Sequence, residues 1–233
     1  MSARQRIPLL TAVLAAALAA TPALATPFAV RLGQASIALD TPPGFSDAAF
    51  TGSPRVLEMA ESLTSASNRV LLFGITDADL RRFTVGDTPE LRRYMIAVTP
   101  RSLERRQVSV NDFERYVAEV TRGLDPPQPE STDYRTFLKG RSPGHPALLA
   151  ELSRAPALLS ILQGARLSAE EKEFWWEKSA PGYYLLSTTT LLRLRERALS
   201  LSVFTGYESP ADLEWIKSTT KRWVEELLRL NRR

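Results

Sequence analysis

The chain has 233 residues, 30 of them basic and 26 acidic, with one histidine and no cysteine, for a formal charge of +4 at pH 7. That balance argues against nucleic acid as a partner. The missing thiols exclude disulfide staples and a lipidated cysteine, and a lone histidine is too few for an imidazole-based metal centre.

At the amino terminus Arg4 and Arg6 precede an apolar stretch from Leu9 to Ala20, broken only by Thr11, and then Ala23-Leu24-Ala25. This is the order of a cleavable signal peptide over residues 1–25, and the stretch is shorter than the roughly 20 residues a membrane span needs. Arg4-Gln5-Arg6 is not a twin-arginine pair, so the expectation is unfolded export to the periplasm, or secretion, by the general route. No later segment is apolar enough to be a transmembrane candidate. Residues 26–233 are expected to form a single α+β domain held by its own core.

Ala35 to Leu39 alternates apolar and polar residues and predicts a strand, stopped by Pro42-Pro43-Gly44. Ser53-Pro54 opens a helix with Val56, Leu57, Ala60, Leu63 and Thr64 on one face, ending near Ser67-Asn68. Val70 to Ile75 and Tyr94 to Thr99 read as buried strands, with the polar segment Thr76 to Arg93 as a connecting loop. Ser109 caps a helix with Phe113, Tyr116, Val117, Val120 and Leu124 on one stripe and Gly123 to end it. From Asp125 to Pro146 five prolines predict a connection without regular structure. Leu148 to Leu152 is expected to be a short helix, and Leu158 to Leu162 fits helix or strand. Ser168-Ala169-Glu170-Glu171 is a capping-box pattern that favours a helix through Trp176, although the aromatic content would also suit a strand.

Tyr183 to Leu194 and Ala198 to Tyr207 predict an antiparallel hairpin turning near Arg195-Glu196-Arg197, although no Gly or Asn marks the turn. Ser209-Pro210-Ala211-Asp212 opens a last helix with Leu213, Ile216, Thr220, Trp223, Leu227 and Leu230 on one face. The two helices opening at Ser109 and Ser209 share a Ser-x-x-Asp start and each follows two strands, which raises a duplicated strand-strand-helix unit beside the simpler reading of recurrent caps.

Few residues carry chemistry. His145 lies between Gly144 and Pro146 and reads as a loop residue. Ser218 and Lys221 match Ser-x-x-Lys, but the companion Ser-Asp-Asn and Lys-Thr-Gly elements of penicillin-recognising enzymes are absent. Asp77 and Asp79 could present two carboxylates at a strand end to a cation or as an acid/base pair; solvated loop acids are the simpler account. Trp175 and Trp176, beside Tyr183 and Tyr184, are the main aromatic concentration, and adjacent tryptophans cannot both point inward. Arg193, Arg195 and Arg197 alternate, so a continuing strand would make them a basic ladder on one face. No catalytic set, metal site or cofactor is implied.

The strand and turn Ile37-Ala38-Leu39-Asp40-Thr41-Pro42-Pro43-Gly44-Phe45, with Asp212-Leu213-Glu214-Trp215 in the closing helix, resembles uncharacterised exported bacterial proteins whose architecture is similar to the PsbP-like fold. The resemblance implies an antiparallel sheet packed between helices, a PsbP-like sandwich often used to dock other proteins, and it carries over no catalytic or metal residue. The expectation is therefore a non-enzymatic envelope protein that binds a partner protein or an apolar ligand, with Trp175, Trp176, Tyr183, Tyr184, Arg193, Arg195 and Arg197 as contact candidates. The alternatives are a carboxylate-based enzyme using Asp77 and Asp79, or a peripheral module on anionic lipid using the arginines.

Overall fold

The computed structural model describes residues 27–168 and 184–232. Strands β1 (Phe28–Leu32) and β2 (Ala35–Leu39) form a two-stranded antiparallel ribbon. Strands β3 (Phe45–Asp47), β4 (Asn68–Thr76), β5 (Arg93–Pro100), β6 (Ala147–Ala155), β7 (Leu158–Arg166), β8 (Tyr184–Leu194) and β9 (Arg197–Gly206) form a seven-stranded sheet in the order β3-β4-β5-β9-β8-β7-β6. Each neighbouring pair is antiparallel. The helices are α1 (Pro54–Ser62), α2 (Asp77–Thr84), α3 (Val110–Val120), α4 (Tyr134–Lys139) and α5 (Pro210–Leu230), with a 3-10 turn at Ala48–Thr51. The expected α+β architecture, an antiparallel sheet packed with helices, is what the chain adopts.

Period-2 alternation decides which side chains share a face. On β9 Leu199, Leu201 and Val203 point to one side, and the register places Met95, Ala97, Thr188, Thr190 and Leu192 with them. This face is covered by α5, by the β1-β2 ribbon through Leu32, Ile37 and Leu39, and by α4 through Tyr134 and Leu138. Gly164 lets α4 approach β7 so closely that a Cβ there would stand 2.8 Å from Leu138 Cδ1. The opposite face holds two smaller clusters. Phe73, Ile75 and Tyr94 pack with Val56 and Ala60 of α1 and with Leu80 and Phe83 of α2. Leu191 and Ala198 pack under Phe113 of α3.

Several local expectations are corrected. The segment after Thr76 is helix α2, not loop, because Thr76 Oγ1 accepts from the Asp79 N–H at 3.1 Å and the Asp79 carboxylate accepts from Thr76 Oγ1 and from the Glu90 N–H. The proline-rich connection contains the short helix α4, capped by Asp133 on the N–H groups of Arg135 and Thr136. Leu148 to Leu152 is strand, since it lies within β6 and completes a ladder with β7 that a helix would leave open. Helix α1 stops at Ser62, with Leu57 turned to solvent. The helix expected to follow Ser168 through Trp176 and the leader at 1–25 lie outside the described residues.

The β8-β9 hairpin turns on two residues, Arg195 and Glu196, at φ of 46° and 60°. A two-residue turn that matches strand twist needs positive φ at both positions, so the turn forms without the usual Gly or Asn. Capping chemistry does recur: Asp112 closes a box with Ser109, and Asp212 accepts from the N–H groups of Glu208 and Ser209. Duplication does not follow. A two-fold relating antiparallel β5 and β9 would run through the sheet and keep both helices on one side, whereas α3 and α5 lie on opposite faces. Among the described residues, no helix is long and apolar enough to cross a membrane.

Candidate functional site

Helix α5 lies on the sheet along a stripe in which Ile216, Trp223 and Leu227 are fully buried. Its position is fixed on the ribbon side. The Trp223 indole N–H donates to the Asp40 carbonyl at 2.7 Å. The Asn231 side chain accepts from the Ala38 N–H and donates to the Ala38 carbonyl, completing the outer edge of β2 as a strand residue would. At the other end Arg93 reaches Asp212 at 3.0 Å and stacks over the Trp215 ring at 4.2 Å. Burial opposes ionisation of Asp212, but donors from Glu208, Arg93 and Ser209 outweigh it and hold the carboxyl below its ordinary 3.8.

The flank of α5 facing β6 and β7 is not filled in this way. Val224 and Leu228 of the helix face Leu152 and Leu158 of the sheet across a cleft of about 400 Å³. Ser160 and Thr220 line it as well, and their hydroxyls are already engaged: Ser160 with Thr190 at 2.8 Å and Thr220 with Thr188 at 2.6 Å. Each of those bonds uses one of the pair's two hydroxyl protons, so the cleft keeps a few polar points among the apolar walls of Leu152, Leu158, Val224 and Leu228. Lys217 and Lys221, one helical turn apart, stand at the mouth with Glu225 and Ser153. Lys217 has a loose, exposed contact with Glu214 at 3.6 Å. A concave apolar space of this size with a few polar groups at one end is the usual form of a small-molecule site.

A second depression of about 720 Å³ lies on the opposite face between α3 and the ends of β4 and β5. Asn68, Arg106, Asp112, Arg115 and Glu119 line it. The Ser109 hydroxyl and N–H, then Arg115, hold the exposed Asp112 carboxyl below its ordinary value. Asp112 and Arg115 are paired with each other there, and an exposed pair gains little from a ligand; the smaller, more apolar cleft is the better candidate.

Trp175, Trp176 and Tyr183 lie outside the described residues. Tyr184 opens β8, half-buried against the main core, where its carbonyl accepts from the Tyr207 N–H. The arginine ladder does not form, because the strand ends at Leu194 and the chain reverses. Arg193 and Arg197 therefore emerge on opposite faces, with Arg195 in the turn between them. Arg193 Nε donates to the Val108 carbonyl, Arg195 Nη1 donates to the Ser36 carbonyl, and Arg197 is buried.

Asp77 and Asp79 are not a pair facing solvent. Asp77 accepts from Ser46, and Asp79 is a buried cap whose two oxygens are both engaged. His145 is an exposed loop residue bonded to the Pro143 carbonyl. Ser218 donates to the Trp215 carbonyl within its own helix. Among the described residues no three Asp, Glu or His side chains gather where a metal ion could be held. The cleft residues were missed in the sequence, although Val224 and Leu228 extend a second apolar stripe on α5 beside Lys217 and Lys221, more than one sheet contact requires.

No protein-family model and no curated protein sequence matches the chain. Among solved structures it is similar to the Saccharomyces cerevisiae Ran-binding protein Mog1p, at 13% identity and a TM-score of 0.40, over 88% of this chain and 94% of that one. It is also similar to a mutant of protein Mog1, at 13% identity and a TM-score of 0.36, over 88% of this chain and 93% of that one. Likeness at this level assigns no activity or partner to the present chain.

Proposed function

We propose that this chain is an exported, non-enzymatic binding protein of the cell envelope, on a PsbP-like scaffold, that takes an aliphatic ligand with an acidic end group. The observation that carries the reading is the cleft beside α5: apolar walls from Leu152, Leu158, Val224 and Leu228, interior hydroxyls bonded in pairs to neighbouring threonines, and two lysines at the mouth. Such walls reward burial of methylenes at about 0.8 kcal/mol each, which is roughly fourfold in affinity per added carbon. The lysines orient the ligand by accepting a carboxylate or similar anion at the solvent end, where they retain their hydration.

The test is displacement of a fluorescent fatty-acid probe by straight-chain carboxylates of increasing length. Affinity is expected to climb with each carbon and then level off when the cleft is full. Val224→Trp, which fills the cleft, is expected to abolish binding, while Lys217→Gln with Lys221→Gln weakens acids and leaves the matching alcohols unchanged. A flat response to chain length, or binding untouched by Val224→Trp in a folded variant, refutes the reading.

A further inference from the structure

The β8-β9 turn carries a second feature that the cleft does not explain. Arg197 is 4% exposed, and its Nε and Nη1 are buried without a hydrogen-bond partner; the neighbouring Arg195 Nε is buried and unpartnered too. A guanidinium keeps its charge at any pH a protein meets. It cannot escape burial by losing a proton, as lysine can, so burial without an anion is strongly unfavourable.

The surroundings say where an anion would sit. Three chain segments meet at this end of the molecule. The β1-β2 turn lies against Arg197, since a Cβ on Gly33 would stand 3.2 Å from Arg197 Nη2 and 3.0 Å from the Arg105 carbonyl. Arg195 Nη1 binds the Ser36 carbonyl of the same ribbon. The segment after β5 joins them through the Val108 N–H, which donates to the Glu196 carbonyl, and through the Arg193 bond to Val108. Arg31, Arg69 and Arg105 belong to these segments or border them. Of the carboxylates, Glu104 is taken by Arg69 at 2.6 Å, and Glu196 is exposed on the turn with no ion pair to either arginine.

We propose that this junction is an oxyanion-binding site anchored by Arg197 and assisted by Arg195, for a phosphate or carboxylate group. The site is separate from the α5 cleft, on which it does not depend. Buried guanidinium donors suit such oxygens in number and planar geometry. Glycine at position 33 lets the β1-β2 turn lie directly against Nη2, where a Cβ would stand only 3.2 Å away, and its φ of +55° suits the turn.

The experiment titrates inorganic phosphate, and separately formate, into the purified chain at low ionic strength, read by calorimetry and by melting temperature against chloride at matched ionic strength. Saturable binding and a rise in melting temperature are expected for the oxyanions at low millimolar concentration, below the range where phosphate stabilises proteins by exclusion. Arg197→Met is expected to lose about tenfold to a hundredfold in affinity, the worth of hydrogen bonds to a charged group. Arg195→Met, at a half-exposed position, is expected to fold and to bind about tenfold more weakly, which keeps the proposal testable if Arg197→Met fails to fold. Arg122→Met, an exposed change beyond α3, leaves binding unchanged, as does Val224→Trp. A response equal to that of chloride, or full affinity in a folded Arg197→Met or Arg195→Met variant, overturns the site.

Discussion

Replacing Asn231 by Asp changes one NH₂ to an oxygen at the point where α5 is tied to the ribbon. In the wild type the amide makes three contacts: it accepts from the Ala38 N–H at 3.0 Å and donates to the carbonyls of Ala38 and Leu227, both at 2.8 Å. The carboxylate keeps the first and loses the other two. Each lost bond is worth about 1 kcal/mol net, and the stranded Ala38 carbonyl adds about 1–2 kcal/mol, since Asn231 is only 7% exposed. The expected loss is about 3 kcal/mol, a fall of roughly 6–12 °C in melting temperature for a chain of this size. Sign and pH identify the cause. Burial against carbonyl oxygens raises the pKa of the introduced carboxyl above its unfolded value, so the penalty is present at neutral pH and is relieved as pH falls through the raised folded value. Thermal melts of both proteins from pH 7 to pH 4 make the measurement. A deficit that stays constant over that range, or a drop of less than about 2 °C at pH 7, refutes the bracket as the tie holding α5.

Two further outcomes follow from other contacts. Asp212 is held below its ordinary pKa, so its contribution is complete above the unfolded value of about 3.9 and is lost as pH falls through the lower folded value; Asp212→Asn is expected to cost about 1–2 kcal/mol at pH 7, with denaturation curves of the two proteins converging below pH of about 4, and parallel curves would show that ionisation is irrelevant. Glu196 sits at φ of 60° on an exposed turn, so Glu196→Gly should relieve about 1 kcal/mol of left-handed strain against a smaller entropy cost, raising the melting temperature by about 1–3 °C; an unchanged or lower value would show that the turn is not strained.

Strong local signals were legible. The Ser109 and Ser209 helices, the β8-β9 hairpin and the strands around Val70 and Tyr94 follow from caps, first-turn acids and alternation, which act within a few residues of each other. The errors fall where one local pattern serves two structures. Thr76-x-x-Asp79 reads as polar loop until Glu90 is folded back to supply a donor, and Leu148 to Leu152 reads as helix until β7 offers a ladder partner. The ladder expected of Arg193, Arg195 and Arg197 depended on a strand that stops at Leu194.

What the sequence determined by itself is the strongly capped helices opening at Ser109 and Ser209 and the clearly alternating or apolar strands, with their apolar faces, because propensity, capping and periodicity are short-range. Only the tertiary structure decided which faces meet. The pairing of β5 with β9 brings together strands far apart in the chain, and α5, anchored on the ribbon side by Trp223 and Asn231, leaves its Val224 and Leu228 flank open over β6 and β7. The same long-range packing buries the Arg197 guanidinium beneath Gly33, more than 160 residues away in the chain. A cleft and a buried charge are properties of surfaces brought together across the chain, and no window of neighbouring residues contains them.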